Sequence, residues 1–123
     1  PALVMQTIAD HVPRIVLSHN PDSAEKLQSW RVDLQLSGHT HGGQVVIPGL
    51  GNLSQRLAML YKTLPKRSRR HLPFLKTFHT TLKRWEWASG FHTIGTNQLY
   101  VNRGLGTYFP GRFCCPPEVT VIV

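Results

Sequence analysis

Short apolar runs alternate with amphipathic stretches along this chain, and the alternation predicts an α/β fold. Residues 14–18 and 33–37 are apolar runs that are typical of short buried strands. Apolar positions at three- and four-residue spacing predict helices over 1–12 and, after Asp22, to Trp30. Further on, 91–102 reads as a β-hairpin, and 44–47 and 119–123 as single strands.

A second kind of pattern occupies residues 53–87, which we interpret as a basic, amphipathic helical insert. Pro73 suits the first position of a helix. On a helical wheel one arc is apolar and the opposite arc is basic. The apolar arc contains Phe74, Leu75, Phe78, Leu82 and Trp85, and the basic arc contains Lys76, Lys83 and Arg84.

The net charge of +8 is concentrated in this segment, because residues 53–85 contain nine Lys and Arg and no acidic residue. Three interpretations remain open. The helices could pack on the domain with a solvated basic face, lie on an anionic membrane surface, or bind nucleic acid. No stretch approaches the ~20 apolar residues of a spanning helix. With 123 residues, the chain is one domain or less.

Histidines follow two of the predicted strands. His19 comes directly after 14–18, and the stretch Ser37-Gly-His-Thr-His-Gly-Gly43 follows 33–37. His39 and His41 share one face of an extended segment, and the carboxyl ends of strands are where open α/β sheets place their chemistry. Neutral imidazole is a common metal ligand. The alternative is a glycine-rich turn with incidental histidines.

The motifs Ser18-His-Asn-Pro-Asp22 and Ser37-Gly-His-Thr-His-Gly-Gly-Gln-Val45 resemble the last two metal-binding motifs of the calcineurin-like metallophosphoesterases. They are most similar to the bacterial membrane-associated branch that includes UDP-2,3-diacylglucosamine pyrophosphatases. Residues 99–106 and 112–119 also resemble that branch. The resemblance implies a sandwich of two β-sheets flanked by helices, of which residues 1–123 would form the C-terminal half.

The same resemblance implies two divalent metal ions, with His19 and His39 binding one and His41 the other. Imidazole ligands suit Mn, Fe, Co or Zn. The family's Asp-x-His, Gly-Asp and Gly-Asn-His motifs are absent from these 123 residues. The bridging carboxylate and the catalytic residues are therefore expected on a missing N-terminal half, and the isolated chain is expected to be inactive.

A phosphoester or pyrophosphate bond in a phosphorylated or nucleotide-linked lipid is the substrate that the resemblance implies. Arg103 is the candidate phosphate contact and Arg112 a weaker one. Asn20 is the second candidate substrate-binding residue, and both Asn20 and Thr40 are expected to be orienting residues. The branch implies a peripheral position on the cytoplasmic face of a bacterial inner membrane. The alternatives are a nuclease of the same superfamily and a non-catalytic truncated or split product.

Other chemistry-bearing side chains are assigned structural roles. Asp22 and Glu25 have the spacing of a capping box, so Asp22 is predicted to cap its helix. Cys114 and Cys115 are predicted to be free thiols, because a disulfide between neighbours is strained. The remaining histidines are predicted to be surface or partly buried residues: His11, His71, His79 and His92.

Overall fold

The computed structural model describes residues 2–123, with the side chain of Ala2 excepted. Pro1, part of the first predicted helix, lies outside the described residues. The helices are α1 (Ala2–Thr7), α2 (Ser23–Leu27), α3 (Leu53–Thr63), α4 (Lys66–Arg69) and α5 (Pro73–Thr81), with 3₁₀ turns at His41–Gly43 and Trp85–Trp87. The strands are β1 (Ile15–Leu17), β2 (Leu34–Ser37), β3 (Val46–Ile47), β4 (Gly51–Asn52), β5 (Gly90–Ile94) and β6 (Asn97–Val101).

The main sheet has the strand order β1-β2-β6-β5 and confirms the predicted α/β class. β1, β2 and β6 run parallel, and β5 pairs with β6 as the predicted antiparallel hairpin. The carboxyl ends of the three parallel strands therefore meet at one edge, where the segments after residues 17, 37 and 101 emerge. The second sheet is the two-residue ribbon β3–β4, so the layered sandwich stays a prediction.

A small apolar core lies between the main sheet and α2, and contains Ala24, Trp87, Ile94, Leu99 and Val101. One polar side chain, Asn97, is buried beside it. Its amide accepts from the Val32 N–H at 3.0 Å and donates to the carbonyls of Leu27 and Trp30, both at 2.9 Å. Asn97 thus pairs backbone groups that burial would otherwise leave unsatisfied.

The apolar arc of residues 53–87 faces inward. Leu75, Leu82 and Trp85 are buried, and Ala58 of α3 packs against Leu82 and Trp85. The Trp85 indole N–H donates to the Phe78 carbonyl at 3.0 Å. The helices therefore pack on one another and on the domain, and this apolar face is not available to acyl chains.

Two details of the insert differ from the sequence prediction. Phe74, which was placed on the apolar arc, is 57% exposed. The second helix begins at Pro73 as expected, but it ends at Thr81 because Leu82 adopts extended backbone angles (φ −146°, ψ 131°). The shift lets Leu82 and Trp85 enter the core from a non-helical segment.

The prediction that Asp22 caps its helix is wrong. The Asp22 side chain makes no capping hydrogen bond; its carboxylate accepts instead from the N–H groups of Lys83 at 2.8 Å and Arg84 at 3.3 Å. Glu25 pairs with the Arg84 guanidinium. Both acids thus hold the chain where it returns from the insert, and α2 ends at Leu27, short of Trp30.

The predicted terminal elements are also corrected. The first helix ends at Thr7 instead of residue 12, and residues 119–123 form no strand. Both segments present apolar side chains to solvent, such as Leu3 and Val121, and burial is what stabilises such elements. β1 is an open edge, with Leu17 79% exposed. Among the helices of residues 2–123, none is long and apolar enough to cross a membrane.

Candidate metal centre

The histidine turn has an unusual backbone conformation. His39 (φ 76°), His41 (φ 51°) and Gln44 (φ 58°) all adopt positive φ, which is uncommon for residues with a side chain. Such strain concentrates at functional sites, where the surroundings maintain it. Gly42 also has positive φ, and a Cβ atom there would lie 2.7 Å from both the Arg103 Cγ and the Cys115 Sγ. The turn therefore doubles back against the C-terminal loop, as its glycines suggest.

The structure brings His19 and His39 together. The His19 Nε2 and His39 Nδ1 atoms are 2.8 Å apart, and the ring centroids are separated by 4.5 Å. The second ring nitrogen of His39 lies 3.1 Å from the carbonyl oxygen of Thr81, at the end of α5. A carbonyl only accepts, so the His39 Nε2 donates and its Nδ1 presents a lone pair toward His19.

His41 stands apart from that pair. Its Nδ1 lies 2.9 Å from the Gly106 carbonyl, and its ring packs edge-on against Tyr108 with centroids 5.4 Å apart. In residues 2–123 no three His, Cys, Asp or Glu side chains are grouped closely enough to hold a metal ion. The described residues thus supply a histidine pair and a separate third histidine.

The histidine pair fits a metal ion in two respects. Two nitrogens that each lie ~2.1 Å from one ion are ~3.0 Å apart at a right angle and ~3.4 Å apart at the tetrahedral angle, so the observed 2.8 Å needs to widen only slightly around an ion. Metal-binding histidines also commonly donate their other ring N–H to a carbonyl. His39 does so to Thr81 and His41 to Gly106. Each ring keeps one lone pair, and that of the His39 Nδ1 faces the His19 Nε2 at hydrogen-bond distance.

Arg112 anchors the loop that contacts His41, a role the sequence did not indicate. Its Nη2 donates to the carbonyls of Gly106 (2.7 Å), Arg103 (2.8 Å) and Gly104 (3.0 Å). Its Nη1 donates to the carbonyls of His41 (3.2 Å) and Cys115 (3.3 Å). The side chain therefore fixes the Gly106 carbonyl, and through it the His41 ring.

Buried polar side chains hold the histidine turn from the other side. Thr40 donates to the Ala88 carbonyl at 2.7 Å. The Gln44 side chain accepts from the Tyr108 N–H at 2.9 Å and from the Thr107 hydroxyl at 3.1 Å. Thr40 therefore anchors the turn, and its role in orienting ligands stays a prediction. Gln44 was missed because its partners lie more than 60 residues away.

The two predicted substrate contacts have partners within the chain. The Arg103 Nε donates to Glu118 at 2.8 Å. The Asn20 side chain accepts from the Asp22 N–H at 2.8 Å and forms a local turn after β1. Asn20 directly follows His19 in sequence, and Arg103 lies beside Gly42 of the histidine turn in space. The role of both side chains toward a substrate stays a prediction.

Glu118 is the acid with the most perturbed pKa. Burial raises the pKa of its carboxyl. Hydrogen bonds from the Tyr100 hydroxyl, from the side chain and backbone of Arg103, and from Thr120 have the larger, opposite effect and lower the pKa to about 2. The charged form is therefore strongly favoured in the folded chain.

We expect the Glu118→Gln variant to lose a pH-dependent part of the stability. The folded pKa is depressed from 4.5 to about 2, so the stabilisation is complete above pH 4.5 and is lost as the pH falls through about 2. Urea unfolding at several pH values should show that the stability difference between wild type and Glu118→Gln shrinks from pH 6 to pH 2.5. A difference that does not change with pH would contradict the ion pair.

The comparisons with known proteins find metallophosphoesterases. Over 118 residues the chain is 35% identical to an uncharacterized metallophosphoesterase, YkuE, of Bacillus subtilis, covering 95% of the chain and 32% of that protein. It is 32% identical to phosphodiesterase YaeI of Escherichia coli, covering 91% of the chain and 32% of the relative. UDP-2,3-diacylglucosamine pyrophosphatase LpxG of Chlamydia trachomatis is 34% identical over 90% of the chain and 29% of its own length.

The chain spans about a third of the length of these curated relatives. No protein-family model matches it, and no solved structure matches it significantly. Each similarity covers about nine tenths of the chain, and therefore includes both histidine-bearing strand ends. Over about nine tenths of its length the chain is therefore similar to metallophosphoesterases, which supports the calcineurin-like family that its histidine motifs resemble.

Proposed function

We propose that this chain supplies metal ligands to a hydrolase of phosphoester or pyrophosphate bonds, and that His19 and His39 bind one divalent ion while His41 binds a second. The observation that carries the proposal is the 2.8 Å approach of the His19 and His39 ring nitrogens at the carboxyl ends of β1 and β2. The carbonyl contacts of His39 and His41 support it, since they set ring tautomers suited to metal binding.

Bound metal ions would polarise a phosphoryl group and activate water. The chain's own residues contribute orientation: Thr81 and Gly106 hold the His39 and His41 rings by their carbonyls. No carboxylate joins the histidine pair in residues 2–123, so the shell is incomplete here. The remaining ligands and the catalytic residues would come from the rest of the domain, and the 123-residue chain alone is expected to hydrolyse nothing.

A chimeric phosphodiesterase tests this function directly. Residues 1–123 would replace the matching third of E. coli YaeI, and hydrolysis of bis-p-nitrophenyl phosphate would be measured with added Mn²⁺. We expect metal-dependent turnover that His39→Ala lowers more than about 100-fold, because loss of a ligand weakens the ion that the reaction needs.

The matched control is His92→Ala in the same chimera. The ring of His92, a residue of β5, hydrogen-bonds to the Ser89 carbonyl and to none of the candidate ligands, so this variant should keep the turnover. A chimera that melts cooperatively but hydrolyses nothing, or one in which His39→Ala has no effect, would contradict the proposal.

The substrate proposal is a nucleotide-linked lipid. LpxG, which the chain resembles over 90% of its length, is named a UDP-2,3-diacylglucosamine pyrophosphatase, and its substrate joins a nucleotide to a diacylated sugar. A peripheral position on the cytoplasmic face of a bacterial inner membrane accompanies this proposal. In the chimera assay, release of UMP from a UDP-diacylglucosamine substrate would support it, and activity on nucleic acid alone would favour the nuclease alternative.

A further inference from the structure

An open cavity of about 440 Å³ lies between α3, α4 and the start of α5, within the basic insert. Four of its six lining residues are basic. The lining consists of Tyr61, Lys66, Arg69, Arg70, Pro73 and Lys76. These residues belong to a different part of the chain from the histidine turn. The cavity is therefore a second candidate binding site, formed by clustered Lys and Arg side chains.

Arg69 is held in position at this cavity. Its Nε donates to the Leu64 carbonyl and its Nη2 to the Lys62 carbonyl, both at 2.9 Å. The guanidinium also lies over the Tyr61 ring, 5.1 Å from the ring centroid. These contacts restrict its rotamers before any ligand arrives, which lowers the entropy cost of binding.

The positive charge of the cavity is not neutralised within the described residues. Across residues 2–123, no carboxylate lies within 4.0 Å of Lys66, Arg69, Arg70 or Lys76; the ion pairs there involve other arginines. Residues 53–85 contain no acid at all. Like charges that share a cavity repel one another, and an anion placed among them would relieve that repulsion.

We propose that this basic cavity binds the phosphate of an anionic phospholipid headgroup, and thereby places the insert on a membrane surface. Guanidinium groups match phosphate oxygens with a two-pronged fork. Phe74, which directly follows Pro73, is 57% exposed, and Met59 and Leu60 of α3 are also exposed. A bilayer surface suits both features, because its headgroups are anionic and the layer beneath them is apolar.

The buried apolar side chains of the insert support this view. Leu75, Leu82 and Trp85 pack inside the chain, so the insert does not lie on a membrane with that face, as a simple amphipathic hairpin would. The contact is electrostatic and local, and it does not depend on hydrolase function.

Vesicle cosedimentation with the 123-residue chain tests the proposal. The vesicles contain either phosphatidylcholine alone or phosphatidylcholine with 30% phosphatidylglycerol. The chain should bind only the anionic vesicles, and Lys66→Gln with Arg70→Gln should weaken binding about 30-fold, since two charges at the membrane are lost. The control is Lys26→Gln with Lys83→Gln, which removes the same charge from a surface depression that also contains Asp22. This variant should weaken binding less than threefold.

Four results would overturn the proposal. Equal weakening by both double variants would indicate diffuse attraction of the net charge. Full competition by millimolar inorganic phosphate would identify a site for soluble phosphate. Retention on duplex DNA that the cavity variant abolishes, without vesicle binding, would identify a nucleic-acid site. Equal binding to both kinds of vesicle would exclude headgroup charge as the cause. A thermal melt of each variant confirms that it is folded.

Discussion

Replacing Arg112 with methionine is expected to lower the free energy of unfolding by about 3 kcal/mol, since several carbonyls lose a charged donor. The carbonyls that lose it belong to His41, Arg103, Gly104, Gly106 and Cys115. Methionine keeps a comparable length but donates no hydrogen bond. Urea unfolding monitored by tryptophan fluorescence measures the change.

Two further variants give the Arg112 prediction its controls. Arg112→Lys keeps the charge but lacks the planar fork that reaches several carbonyls at once, so its stability should be intermediate. Arg67→Met removes an exposed arginine of α4 and should change the free energy of unfolding by less than about 0.5 kcal/mol. If Arg112→Met is as stable as Arg67→Met, the guanidinium does not organise the loop.

Replacing His39 with alanine is expected to abolish Zn²⁺ binding by the chain. The wild-type chain should bind one ion weakly, because the described residues offer only a histidine pair at one point. Without the His39 ring, His19 is a single imidazole at the surface, and a single ligand does not hold a zinc ion. Isothermal titration calorimetry measures both chains.

His92→Ala is the matched control for the zinc titration, as its ring contacts the Ser89 carbonyl and lies outside the pair. It should bind Zn²⁺ like the wild type. Undiminished binding by His39→Ala would show that the ion is held elsewhere, and the assignment of His19 and His39 as ligands would be withdrawn.

The local pattern of apolar and polar residues was sufficient to predict much of the fold. The short apolar runs 14–18 and 33–37 became β1 and β2, and 91–102 became the β5–β6 hairpin, because strand formation here follows from apolar patterning and turn residues. The histidine turn was recognisable for a related reason: polar residues at a strand exit have no role in a core. Gly42 and Gly43 adopt positive φ, as a tight reversal requires.

What the sequence did not indicate depends on distant partners. Asp22 has the spacing of a helix cap, yet it accepts from the amides of Lys83 and Arg84, some 60 residues away. Arg112 resembles a phosphate ligand until its carbonyl partners are seen. Residues 119–123 have strand-forming composition, but a strand also needs a neighbour to pair with. In each case the local sequence is compatible with more than one structural role, and a contact with a distant part of the chain determines which role the residue adopts.

The central claim is that the rings of His19 and His39 together form a metal site. The most direct measurement is a nitrogen-15 NMR titration of the labelled 123-residue chain with Zn²⁺, which follows the imidazole nitrogens of all seven histidines. We predict that the His19 Nε2 and the His39 Nδ1 shift first and together, while His11, His71 and His92 are unchanged. If those two nitrogens stay unshifted while other histidines respond, the claim is contradicted.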